Sequence, residues 1–149
     1  MRARRARTFL WGHCHMYTYE TRIKLHDTDA AGVLFFANYF RLTHEAYETF
    51  MASVGFPFAH LIHEADYLVL IVHADCDFKR PLRVGDGGTV EITAGKIGRT
   101  SFALDYRVLN GSGEPVATGN TAHVCVTKQS YNSIPLPERL KAALEGIAG

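Results

Sequence analysis

The sequence predicts an α+β domain in which an antiparallel sheet encloses one long helix. Residues 38–54 carry apolar side chains at helical spacing over an arc too broad for a helix lying on a surface. One alternating strand-like segment precedes this helix and four follow it, separated by Gly-, Pro- and Asn-rich breaks. With 149 residues, 47% of them hydrophobic, the chain can bury one proper core but hardly two, so a single domain over residues 16–149 is expected.

Residues 17–25 alternate, with Tyr17, Tyr19, Ile23 and Leu25 on one face and Thr18, Glu20, Arg22 and Lys24 on the other. This pattern predicts a half-buried strand. In the helix, Tyr39, Leu42, Ala46, Tyr47, Phe50 and Val54 oppose Arg41, Glu45 and Glu48. Gly55 supplies a stop and Pro57 prevents continuation. After a short helical link over 59–64, residues 68–78 start as a continuous apolar run. They then alternate, with Val72, Ala74, Cys76 and Phe78 opposite His73, Asp75 and Asp77. Residues 90–97 and 102–108 read as a hairpin joined through Gly98. The Asn110-Gly111-Ser112-Gly113 turn leads into a last strand over 116–127, with Ala122, Val124 and Val126 expected inward, and a polar helix over 137–147 closes the chain. The four later strands are expected as consecutive antiparallel runs.

Charge excludes some classes of function. Sixteen Lys and Arg stand against fifteen Asp and Glu, a net charge of +1, so no broad field recruits nucleic acid or an anionic membrane. Residues 1–15 form a basic extension with Arg2, Arg4, Arg5 and Arg7 and no acid, which leaves the remainder mildly acidic. The apolar Thr8-Phe9-Leu10-Trp11 stretch is too short for a secretory or spanning segment, so no stable membrane insertion is expected. Three cysteines, Cys14, Cys76 and Cys125, make an odd number without CxxC spacing and suit reduced thiols, hence a cytoplasmic setting.

Between the first strand and the helix lies His26-Asp27-Thr28-Asp29-Ala30-Ala31-Gly32-Val33-Leu34-Phe35-Phe36-Ala37-Asn38-Tyr39. Two acids at a strand end, followed by a glycine and the start of an apolar helix, call for an explanation. A calcium loop is excluded, because its fifth position would be Ala31 and its twelfth Asn38 in place of Glu. Capping a turn or a helix suits Asp27.

The segment Asp27-Thr28-Asp29-Ala30-Ala31-Gly32 with Phe36-Ala37-Asn38-Tyr39 resembles the 4-hydroxybenzoyl-CoA thioesterase family of hotdog enzymes, over about residues 17–137. The resemblance implies a hotdog fold, acyl-CoA thioester hydrolysis, Asp29 as catalytic carboxylate, and the Phe36 backbone amide as the group that polarises the thioester carbonyl. Some branches place His or Tyr where this chain has Phe36, so a side-chain role is absent there. Within the family, His44-Glu45-Ala46-Tyr47-Glu48 and Ala122-His123-Val124-Cys125 are similar to the branch that acts on 1,4-dihydroxy-2-naphthoyl-CoA in quinone biosynthesis. The chemistry agrees with the motif. Free N–H groups at a helix start, reached through Gly32 to Phe36, are preorganised donors for a developing oxyanion. A carboxylate beside that carbonyl can attack it or take a proton from water.

His44 reads equally as an ordinary half-buried histidine and, by resemblance, as a residue facing the acyl group. Glu45 is the reserve base, since a helix-borne Glu is catalytic in another hotdog branch, although a solvated or interface carboxylate is the plainer reading. Lys79, Arg80, Arg83, Lys96, Arg99, Thr100 and Ser101 are candidates for the CoA phosphates. The Arg99-Thr100-Ser101 group leads them because the resemblance places CoA contacts in this hairpin. His13-Cys14-His15, His60 with His63, and His123 with Cys125 complete no recognised ligand set, and HExxH fails at both His44 and His63, so no metal is expected. No phosphate or dinucleotide loop is present, and no cofactor is expected. An unfinished sheet edge, with the resemblance, implies a homodimer or homotetramer. A non-catalytic acyl-CoA-binding module and a hotdog hydratase are the competing readings.

Overall fold

The structure is a computed structural model that describes residues 16–149. The basic extension over 1–15, with Cys14 and the His13-Cys14-His15 group, lies outside the described residues.

The expected central helix is α1, Asn38–Ser53, and its apolar arc is the hub of the core. Tyr39, Leu42, Ala46, Tyr47, Phe50 and Met51 are buried, each large side chain contributing about 1.5–3 kcal/mol from water exclusion. The helix ends where glycine allows it. Gly55 sits at φ 94°, its N–H donates to Ala52 O, and the Phe56 N–H donates to Met51 O, so the last carbonyls are satisfied by a Schellman turn.

Five strands wrap this helix in one antiparallel sheet: β1 Tyr17–Arg22, β2 Tyr67–Phe78, β3 Gly87–Ile97, β4 Ser101–Asn110 and β5 Pro115–Thr127. Their spatial order is β1-β3-β4-β5-β2. Strands β3, β4 and β5 form the expected meander, with Gly98 in the β3–β4 turn. The expectation of four consecutive runs needs correction, because β2 does not pair with β3. It crosses to the far edge and pairs with β5 from Tyr67↔Thr127 to Phe78↔Ala117. Its apolar start needs a buried neighbour, which the inner flank of β5 supplies. A bulge between Ile71 and His73 breaks the register. At Gly119 on β5, an added Cβ would stand 2.5 Å from the Asp75 carbonyl, so only glycine admits this close strand approach.

Two shorter helices complete the fold, α2 Phe58–His63 and α3 Glu138–Glu145, the latter packing Leu140 and Leu144 inward. Two further expectations are corrected. Strand β1 stops at Arg22, residues Leu25–Asp27 form a 3-10 turn, and Leu25 is 77% exposed instead of inward. On β5 the helix-facing side carries Thr121, His123 and Cys125, all buried, and not Ala122 and Val124. Register explains this phase: His123 lies opposite Phe102 and Thr121 opposite Leu104, and both β4 partners are core residues. Among the described residues no helix is long and apolar enough to cross a membrane.

Candidate active site

Asp27 and Asp29 are two residues apart and are used differently. Asp27 is 1% exposed; one carboxylate oxygen accepts the Lys24 N–H at 2.8 Å and the other pairs with the Arg41 guanidinium. Its carbonyl accepts the Phe35 N–H at 3.0 Å and the Asn38 side-chain amide at 2.8 Å. Asp27 therefore ties β1, the motif loop and the start of α1 together, the capping role that its position suggested.

Asp29 is exposed. Among the described residues its carboxylate accepts only the Ala31 N–H, at 2.8 Å, and its backbone carbonyl accepts the Gly32 N–H at 3.0 Å. Gly32 has φ 75° with nothing within 4 Å of an added Cβ, so backbone conformation, not space, selects glycine. The loop returns through the Asp29–Val33 hydrogen bond and delivers Phe35 and Phe36 to the start of α1.

That helix start has no side-chain cap and no acid in its first turn. The N–H groups of Asn38, Tyr39 and Phe40 donate to Phe35, Phe36 and Ala37 carbonyls, while those of Phe36 and Ala37 have no acceptor among the described residues. Phe36, 59% exposed, and Asp29 line the same cleft of about 450 Å³, together with Tyr39, Phe78, Lys79 and Arg80. Its wall is aromatic: Phe78 lies 5.1 Å from Tyr39 and 6.3 Å from Phe36, ring centroid to centroid.

Two further hollows follow along α1 and β2, each sharing lining residues with the one before. The first is a constriction of only about 10 Å³ among Tyr39, Phe40, Thr43 and Cys76. The second is a cavity of about 430 Å³ lined by Phe40, His44, Ile71, Ala74, Tyr106 and Thr121, so that the row makes a groove pinched at its middle. His44 thus stands on the same groove as Asp29, one helix turn beyond Phe40, with its ring 5.7 Å from Tyr47 and stacked at 6.4 Å on Phe58. Burial, with Asp77 and Asp75 next, pushes the Cys76 thiol up to about 11, so it supplies no thiolate near neutrality.

The remaining candidates separate from this arrangement. Glu45 pairs with Arg41 and lies 3.4 Å from the Tyr19 hydroxyl, on the β1 side of the helix. Arg99, Thr100 and Ser101 sit at the β3–β4 turn, beside Val124 of β5 and hence level with Leu70 of β2. Phe78 is eight residues further along, roughly 26 Å at strand rise, so within one chain the turn does not meet Asp29. Lys79 and Arg80 do line the Asp29 cleft, with Arg80 also held by Glu114 at 2.8 Å. His60 pairs with Glu64 at 3.0 Å, and among the described residues no three His, Cys, Asp or Glu side chains converge as a metal site.

The site also contains two residues that sequence reasoning missed, Tyr106 and Thr121, and His123, which it named only in a resemblance motif and a rejected metal set. Tyr106 and Thr121 line the far end of the groove, and His123, fully buried behind them, stacks on Phe102 at 4.6 Å and touches Thr121 Oγ1 at 2.8 Å. Alternation about Thr121, His123 and Cys125 was the available signal, outweighed by the hydrophobicity of the opposite phase.

Comparison with known proteins bears on the family and the fold. The thioesterase-like superfamily matches residues 23–144. A 1,4-dihydroxy-2-naphthoyl-CoA hydrolase of Synechococcus elongatus is 40% identical over 130 residues, 87% of this chain and 95% of that protein. The crystal structure of a 1,4-dihydroxy-2-naphthoyl-CoA thioesterase from Synechocystis superposes with a TM-score of 0.83 at 32% identity, covering 87% of this chain and 95% of that one. A gentisyl-coenzyme A thioesterase structure gives 0.77 at 31% identity, covering 85% and 98%. A sheet closed around one helix, an acid-bearing loop at the helix start and these matches over most of the chain lead to one assignment: the chain belongs to the thioesterase-like superfamily and has its hotdog fold.

Proposed function

We propose that this protein hydrolyses an aromatic acyl-CoA thioester to the free acid and CoA, with 1,4-dihydroxy-2-naphthoyl-CoA the leading substrate. The observation that carries the reading is that an exposed carboxylate, Asp29, shares one aromatic cleft with Phe36, whose amide, like that of Ala37, has no acceptor among the described residues. The thioester carbonyl accepts from the Phe36 amide, which holds negative charge as the tetrahedral centre forms. Asp29 then acts by one of two routes. It attacks the carbonyl carbon, expelling the CoA thiolate and leaving a mixed anhydride that water cleaves, or it takes a proton from a water that attacks directly. Flat rings gain contact against Phe36, Tyr39, Phe40 and Phe78, and the names of the relatives point the same way.

The working unit in this reading is a homodimer or a dimer of dimers. Strand β2 is a twelve-residue edge with Ile71, Val72 and Phe78 exposed, a surface that soluble folds do not leave bare. Two such edges joined by a two-fold axis run antiparallel. The partner subunit's β3–β4 turn then comes to the end where this chain holds Asp29, which would give Arg99, Thr100 and Ser101 their part in CoA binding. Cys76 and Cys125 are free thiols, which fits a reducing cytoplasm.

The test is thiol release from naphthoyl, benzoyl, phenylacetyl, short aliphatic and long aliphatic CoA thioesters. Aromatic substrates are expected to give the highest kcat/KM. Saturable binding without thiol release would establish the binding-module alternative, and a best rate on acetyl- or butyryl-CoA would overturn the aromatic assignment. Sedimentation that finds a stable, active monomer would remove the dimer.

A further inference from the structure

The polar chain behind the far end of the groove has a direction. Thr121 Oγ1 donates to the Tyr106 hydroxyl oxygen at 3.2 Å and lies 2.8 Å from His123 Nε2. A threonine hydroxyl has one proton. Having given it to Tyr106, Thr121 must accept from His123, so the imidazole carries its proton on Nε2. His123 Nδ1, buried and without a partner among the described residues, is then a bare lone pair and not a stranded N–H. At the other end, Tyr106 accepts from Thr121, and its own proton goes to no acceptor among the described residues. The chain therefore runs His123 to Thr121 to Tyr106 and ends on an unspent O–H donor.

The placement of that donor matters. Tyr106 is only 4% exposed, yet it lines both the middle and the far end of the groove. Phe40, Ile71 and Ala74 are apolar walls, and of the other hydroxyls there Thr43 donates to the Phe40 carbonyl and Thr121 to Tyr106, while Arg41 and His44 bring the remaining polar groups. Tyr106 is in register with Gly119 and through it with Cys76, two residues short of Phe78, so measured along the strands it stands roughly 6–7 Å from the level of the Asp29 cleft. That offset suits the reach from a thioester carbonyl to a substituent on its aromatic ring. The chain also holds its protonation state: burial, then His44, lowers His123 to about 4, and burial raises Tyr106 to about 12.

We propose that Tyr106 is a specificity-determining hydrogen-bond donor, aimed by Thr121 and His123, that selects an acyl group bearing an oxygen on its aromatic ring. This rests on the aromatic acyl-CoA reading above and adds which residue of this chain reads the ring oxygen. An unsubstituted ring leaves a buried donor unmet, which penalises it, whereas apolar walls alone separate similar rings poorly.

The experiment measures kcat/KM for 4-hydroxy-2-naphthoyl-CoA against 2-naphthoyl-CoA and for 4-hydroxybenzoyl-CoA against benzoyl-CoA, in the full chain. Wild type is expected to favour at least one hydroxylated substrate over its partner by roughly 10- to 100-fold. Tyr106→Phe, which keeps the ring, should erase that preference, lowering kcat/KM for the hydroxylated member of a pair more than for the unsubstituted one. Thr121→Val should reduce it and Thr121→Ser should keep it. Absence of preference in wild type, or an equal loss on both members of each pair in Tyr106→Phe, overturns the assignment. If no thioester is cleaved, the proposed function fails, and calorimetric Kd values for the corresponding free acids decide the Tyr106 assignment by the same ratios.

Discussion

Asp27 and Asp29 share a six-residue motif, a residue type and a turn, yet one is enclosed and bonded on every side while the other meets solvent with a single backbone partner. The difference teaches where this chain separates stability from chemistry. A buried carboxylate bonded through both oxygens orders the loop; an exposed one with a single backbone partner, in the cleft that Phe36 lines, can meet a substrate.

The largest expected effect breaks the contrast at its open side. Asp29→Asn should lower kcat by at least roughly 10²-fold, the lower range for lost acid or base assistance, with the melting temperature unchanged. Thiol-release kinetics beside a thermal melt check both halves, and near-native turnover would remove Asp29 from the chemistry.

A second measurement extends the contrast to histidines, buried His123 against exposed His44. Unfolded His123 binds its proton near 6.5 and folded His123 only near 4. Between those values the unfolded chain holds more protons, so stability is fully present above about pH 6.5 and falls as pH drops toward 4. The contribution is on the order of 2–3 kcal/mol. Urea unfolding from pH 7 to 4.5 should show this slope, and His123→Gln should flatten it. An equal slope in the variant would assign the loss to other groups.

Asp27→Asn should cost about 1–2 kcal/mol by weakening the charge-assisted bond to Arg41, with activity per folded molecule falling less than about tenfold. Loss of activity at full stability would invert the two acids. The smallest effect belongs to Glu45→Gln. Its pair with Arg41 is partly exposed, so a stability change under about 1 kcal/mol and a kcat near wild type are expected. A collapse of kcat there would move the catalytic base onto the helix.

Local physics was legible in the sequence and long-range pairing was not. The arc from Tyr39 to Phe50 and the Gly55 stop depend on neighbours within two turns, and α1 follows both to within one residue. The motif loop was readable because a strand end, a glycine and a helix start are adjacent in the chain. The place of β2 beside β5 depends on partners some fifty residues away, which no local pattern specifies. The phase of β5 failed for a related reason: Ala122, Val124 and Val126 outscore Thr121 and His123 in hydrophobicity, but pairing with Phe102 and Leu104 turns the polar set inward. The groove required both facts at once, so its members Tyr106 and Thr121 escaped notice while His44, on the helix itself, did not.

The outer flank of β2 offers a clock as well as a surface. In an antiparallel edge every second peptide N–H points away from its one partner strand, and here those amides face no other strand among the described residues. Deuterium uptake along residues 67–78 therefore reads association directly. Alternate amides should label at near-solvent rates in dilute protein and slow as concentration rises, while their neighbours, bonded to β5, stay protected throughout.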